Sequence, residues 1–129
     1  MDDDRRDGLL SWQWQLYPAG HADRWNLVLH VLSAPLFVLG TVALLAAPFA
    51  GARFAWFGLA LPIALLMQAL GHRRERTPPV PFRGPGDAAL RLVVEQWITF
   101  PRYVASGLFF RALRTSSSIG SPSTRTTTR

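Results

Sequence analysis

Two long runs without a charged side chain dominate this sequence. No Asp, Glu, Lys or Arg lies between Arg24 and Arg53, and none lies between Arg53 and Arg73. As a helix rising ~1.5 Å per residue, each run covers the roughly 30 Å hydrocarbon thickness of a bilayer. A chain of 129 residues that buried both runs in a water-soluble core would have too little polar sequence left to cover them. The expected fold class is therefore an all-α integral membrane protein. Its centre is an antiparallel transmembrane helical hairpin of residues 27–47 and 54–72, turning at Pro48-Phe49-Ala50-Gly51, with Pro35 and Pro62 inside the two helices.

The flanks add detail. Asp23 is placed to cap the first long helix. Trp12, Trp14 and Tyr17 precede the turn Pro18-Ala19-Gly20 and read as an interfacial aromatic cluster. Residues 76–86 are rich in proline and glycine and read as an irregular connection. Helical pattern returns over 88–113, with a break expected at Pro101. At about 100° per residue, Arg91, Glu95 and Arg102 share one face, which suits a third, partly interfacial helical region. Gly107 to Leu113 is apolar again and is expected to dip towards the bilayer. The domain reading is a mobile N-terminus (1–11), one membrane-embedded domain (12–114) and a disordered Ser/Thr/Arg tail (115–129).

The formal charge of +6 comes from fourteen arginines and no lysine. Arg5, Arg6, Arg24, Arg73, Arg74 and Arg76 fall at the end of the hairpin that carries the termini, and only Arg53 falls at its tip. The positive-inside rule then puts both termini on the cytoplasmic side. Arginines that flank apolar segments fit anionic lipid headgroups; no basic stripe on a soluble face argues for nucleic acid. An arginine-only basic complement points to a GC-rich, bacterial genome, and so to an inner membrane. The acidic opening Met1-Asp2-Asp3-Asp4 is unlike a secretory signal. With no cysteine there is no disulfide, thiolate ligand or cysteine nucleophile. Nucleophile elbow, phosphate loop, dinucleotide glycine pattern and His-Glu-x-x-His motif are all missing from the sequence.

The three histidines carry the chemical signal. His21 and His30 open one apolar run and His72 closes the other, so a hairpin returns all three to one end. Asn26 and His30 are four apart on one helix; Gln68 and His72 are four apart on the next, with Glu75 a turn beyond. Polar groups at membrane depth are costly unless they pair, line a cavity or bind something. Two or three histidines plus one carboxylate, without sulfur, suit non-haem Fe(II), with Zn and Mn as rivals. Asn26 and Gln68 would orient the ligands or hold a substrate carboxylate. The plainer alternative is a non-catalytic lipid-binding or scaffold protein whose histidines are interhelical contacts, each worth ~0.6 kcal/mol. A metal-dependent lipid hydrolase is a third possibility.

The segment His21-x4-Asn26-x3-His30, followed by Pro35 and Gly40, resembles the first motif of the Mpo1-like (DUF962) family. Gln68-Ala69-Leu70-Gly71-His72, with Glu75 and Pro79 after it, resembles the second. The resemblance covers about residues 15 to 110. It implies a small membrane protein whose characterised relative is an endoplasmic-reticulum Fe(II)-dependent dioxygenase, shortening 2-hydroxy fatty acids by one carbon in alpha-oxidation. Carried over, His21, His30 and His72 would be iron ligands and catalytic residues, with Glu75 a further ligand or a partner of one; Asn26 and Gln68 would support them. The partners implied are a membrane-resident fatty acyl substrate and O2, and a homo-oligomer is compatible with only two strong spans. The stretch after His72 departs from the family pattern in being strongly basic. Arg73 or Arg74 is the candidate to steer a carboxylate.

Overall fold

A computed structural model describes residues 5–118. These are helical, with no strand among the described residues. The elements are α1 (Leu9–Leu16), α2 (Arg24–Ala50), a 3-10 stretch (Ala52–Leu59), α3 (Ala60–His72), α4 (Pro85–Val94), a π turn (Glu95–Thr99), α5 (Phe100–Ala105) and α6 (Leu108–Ser118). Two continuous helical stretches, Arg24–Ala50 and Ala52–His72, are long and apolar enough to cross a membrane.

Helix α2 starts where the Asp23 carboxylate accepts the backbone N–H groups of Trp25 and Asn26, at 2.9 and 3.1 Å, satisfying donors that the first turn leaves open. Leu- and Ala-rich sequence then carries it through both Pro35 and Pro48, further than the expected turn at Pro48. It ends at Gly51, whose φ of 113° a residue with a side chain rarely adopts. The return stretch is not α-helical throughout. Pro62 has no N–H and crowds the carbonyl four residues earlier, and it sits in the first turn of α3, after eight residues of 3-10 helix.

Contacts between the two stretches run in opposite numerical order. Gly71 lies against Asn26, Gln68 bonds Ser33, Gly40 lies against Leu61, and Gly58 against Leu44. Small residues at these crossings bring the backbones close. The outward side of the pair stays apolar: Leu45, Trp56 and Phe49 are 69%, 74% and 92% exposed.

Pro85 opens α4 at the first helical position, where a missing N–H costs nothing. The break expected at Pro101 occurs elsewhere. The helix widens into a π turn just before Pro101, which relieves the clash with the preceding carbonyls, and the real break comes at Gly107 (φ 78°). Helix α6 folds back so that Phe109 joins Tyr17, Leu27, Ala34, Phe100 and Tyr103 in the apolar core. Trp12 and Tyr17 are buried, so this end of the expected interfacial cluster packs inside. The stretch expected to be mobile up to residue 11 contains the start of α1, and Arg5 is tied to Asp87. Thr115 to Ser118, expected in the disordered tail, belong to α6; the rest of that tail and residues 1–4 lie outside the described residues.

Candidate metal centre

Four elements each deliver one side chain to a common point. His21 comes from the turn between α1 and α2, His30 from the second turn of α2, His72 from the last residue of α3, and Glu95 from the first residue of the π turn. One ligand atom from each lies within 4.8 Å of all the others. The Nε2 atoms of His21 and His30 are 3.4 Å apart. The Glu95 Oε1 atom is 3.2 Å from His30 Nε2 and 3.6 Å from His21 Nε2. The His72 ring lies 4.9 and 5.1 Å, centre to centre, from those of His21 and His30. His21 and His30 are buried, and His72 and Glu95 partly so.

The hydrogen bonds behind the rings fix what the front presents. His21 Nδ1 faces the Tyr17 carbonyl at 2.9 Å, and a carbonyl only accepts. His30 Nδ1 faces the Asn26 Oδ1 atom at 3.2 Å. The Asn26 amide is assigned by its other end, where Nδ2 donates to the Gly20 carbonyl and to Glu75. Both Nδ1 atoms therefore carry the hydrogen, so that each ring, when neutral, turns its Nε2 lone pair inwards. Two lone pairs and a carboxylate oxygen facing one another repel until a cation sits between them. Metal–nitrogen bonds of ~2.1 Å at a tetrahedral angle hold their donors about 3.4 Å apart, so the donor set and its spacing fit a divalent metal.

Charge supports the same arrangement. Burial pushes His21 down to about 3, with His30 beside it adding and Glu95 opposing, so its ring is a neutral donor at physiological pH. Burial alone would raise Glu95; the His30 hydrogen bond and the histidine charges outweigh it and bring the carboxyl down to about 2. Burial, then Glu95, raises Tyr17 well above its ordinary value, so its hydroxyl stays protonated and donates to Glu95 at 3.2 Å. The Tyr17 ring stacks on His21 at 3.8 Å and holds it flat.

The expected residues divide. His21, His30 and His72 meet, and Asn26 orients His30. Glu75 does not join the donor set. Its carboxylate accepts the backbone N–H groups of Ala22 and Asp23 and the Asn26 amide, tying the loop after α3 to the start of α2. Gln68 is buried in a polar chain, donating to Ser33 Oγ at 3.1 Å and accepting from Gln96 at 2.9 Å. Arg73 is exposed near a cavity beside His72, while Arg74 lines a different recess with Arg24 and Arg76. The carboxylate of the centre is Glu95, which the sequence reading assigned to an interfacial face with Arg91 and Arg102.

Comparison with known protein families, with characterised proteins and with solved structures finds no match to this chain.

Proposed function

We propose that the chain is a membrane-embedded, non-haem Fe(II)-dependent oxygenase acting on 2-hydroxy fatty acids, with His21, His30, His72 and Glu95 as the iron-binding set. The observation that carries the reading is the convergence of three imidazoles and one carboxylate within 4.8 Å. Nitrogen and oxygen donors without sulfur suit iron in this role. The resemblance of residues 15–110 to the Mpo1-like family supplies the substrate class. The hairpin crosses a bilayer, in this reading a bacterial inner membrane, with both termini and the centre on the cytoplasmic side. The exposed Leu45, Phe49 and Trp56 support insertion.

Bound Fe(II) would supply redox chemistry with O2 as the oxidant, converting a 2-hydroxy acid to the acid one carbon shorter with CO2 and water. The protein's own groups set the stage. The Tyr17 carbonyl and Asn26 hold the histidine lone pairs inwards, and the Tyr17 hydroxyl keeps one Glu95 oxygen aimed at them. Glu75 braces Asn26 from behind.

A second reading, structural histidines in a lipid-binding or scaffold protein, has one observation in its favour. Glu95 lies within 3.2 Å of His30 Nε2, so a single proton on that nitrogen would also satisfy the cluster. Activity separates the two. Protein in lipid nanodiscs, loaded anaerobically with Fe(II) and then given O2, should convert 2-hydroxyhexadecanoic acid to pentadecanoic acid. No conversion at any loading would refute the oxygenase.

A further inference from the structure

The recess that Arg74 lines with Arg24 and Arg76 has a volume of about 380 Å³. None of the four candidate metal ligands borders it. Three separate parts of the chain supply its walls: Ala22 and Arg24 at the start of α2, Arg74, Arg76 and Thr77 after α3, and Ser116 in α6. The Ser116 hydroxyl donates to the Ala22 carbonyl and joins the last of these parts to the first.

Three guanidinium groups and two carboxylates, Asp23 and Glu75, line the recess, a net charge of +1. The carboxylates are already answered by the protein's own N–H groups. Asp23 accepts from Trp25 and Asn26, and Glu75 accepts from Ala22, Asp23 and the Asn26 amide. Arg74 and Arg76 are exposed, and among the described residues no side-chain hydrogen bond or ion pair engages either. Two guanidinium forks with open donors, beside the Thr77 hydroxyl, match the oxygens of a phosphate group.

Position decides which phosphate. Arg24 opens the first membrane-length stretch, and Arg74 follows the end of the second at His72. In a bilayer the recess therefore lies at headgroup depth. Trp25, next to Arg24, is exposed, and an indole suits that level. An apolar stripe on α3 leads from the recess towards the hairpin tip. Leu70, Leu66 and Ile63 are all exposed and follow at helical spacing, and Leu70 stands four residues before Arg74.

We propose that this recess binds one anionic phospholipid, with its phosphate on Arg74, Arg76 and Thr77 and an acyl chain along Leu70, Leu66 and Ile63. Basic pockets between the cytoplasmic ends of membrane helices suit such headgroups. A zwitterionic lipid would bring its ammonium among the guanidinium groups while both carboxylates are occupied, so the site selects net negative charge. The bound lipid ties the start of α2 to the loop after α3. The inference rests on insertion of the hairpin in a bilayer and not on the iron centre.

The test is titration of the detergent-purified, full-length protein with dioleoylphosphatidylglycerol, dioleoylphosphatidylcholine and inorganic phosphate, read by native mass spectrometry. A single phosphatidylglycerol should bind about tenfold more tightly than phosphatidylcholine, the factor that one charge-assisted hydrogen bond supplies. Arg74→Gln and Arg76→Gln should each weaken it about tenfold. Arg53→Gln, which removes the same charge at the hairpin tip, should leave it unchanged. All three arginines are exposed, so thermal unfolding without lipid should match the wild type and show that the variants are folded. Equal affinity for the two lipids would overturn the proposal, as would an equal loss in Arg53→Gln. Inorganic phosphate that displaces phosphatidylglycerol at equal concentration would make the occupant a soluble anion and overturn it too. Protein that stays dispersed in buffer without detergent would refute insertion itself; detergent-dependent protein without lipid selectivity would refute this site alone.

Discussion

Gly71→Ala tests how the helix packing governs the centre. A Cβ at position 71 would lie 2.4 Å from Asn26 Oδ1 and 3.1 Å from Asn26 Cα. The amide can swing away, but the backbone contact can be relieved only by moving α3 off α2. Overpacking of this kind costs about 1–3 kcal/mol. A displaced Asn26 also gives up its bonds to His30, Gly20 and Glu75, leaving buried partners unsatisfied at about 1–3 kcal/mol. Alanine regains about 1 kcal/mol of helix propensity over glycine. The net expectation is about 1–5 kcal/mol of lost stability. Without Asn26 on Nδ1, His30 loses its fixed orientation, and metal affinity should fall about 10–100-fold. Gly86→Ala is the control, since a Cβ there meets nothing within 4 Å. Thermal unfolding and Fe(II) or Zn(II) titration of detergent-purified protein read both effects. Wild-type stability and affinity in Gly71→Ala would refute the reasoning.

The two carboxylates near the histidines should separate cleanly. Glu95→Gln should lose bound metal, whereas Glu75→Gln should keep it and lose about 1–3 kcal/mol of stability, since its carboxylate answers three donors; metal analysis beside thermal unfolding decides. Gln68→Leu breaks the Ser33–Gln68–Gln96 chain and should cost about 1 kcal/mol while leaving metal stoichiometry unchanged; loss of metal would make Gln68 part of the centre. The Arg5 hydrogen bond first, then the Arg83 backbone N–H, hold the Asp87 carboxyl below the usual carboxylate range. A depressed folded-state pKa means that this anchor is fully present above the unfolded value of about 3.9 and is lost as pH falls through the lower folded value. Trp12 fluorescence, sensitive to the Arg5 stacked on it, should hold steady down to about pH 4 and change below, and Asp87→Asn should show the acid signal at neutral pH.

Much of this architecture can be read from charge and spacing. The uncharged runs mark the two long helices, and residues at nearly matching distances from Gly51 come together, as Ser33 does with Gln68. The offset of Asn26 beside Gly71 goes with the longer rise of the 3-10 stretch in the return arm. The histidines meet for the same reason. Glu95 was not legible because a face carrying Arg91, Glu95 and Arg102 looks polar and outward. Arg91 and Glu95 do share a face, but it is turned inwards, with both lining the cavities beside His72. The π turn that begins at Glu95 breaks the phase beyond it and leaves Arg102 exposed. Pro101, six residues on, is the available signal: its missing N–H suggests a break in the helix, and the π turn accommodates it instead. Trp12 was misplaced for a different reason. An aromatic ahead of an apolar run looks interfacial, and only the tertiary fold brings the Arg5 and Arg91 guanidinium groups over its ring.

The central claim is that the three histidines and Glu95 hold one metal ion. The direct measurement is elemental analysis of the detergent-purified protein after anaerobic Fe(II) loading, beside His30→Ala. The account predicts about one iron per chain in the wild type and none in the variant. Metal-free wild type, or equal iron in both, would contradict it.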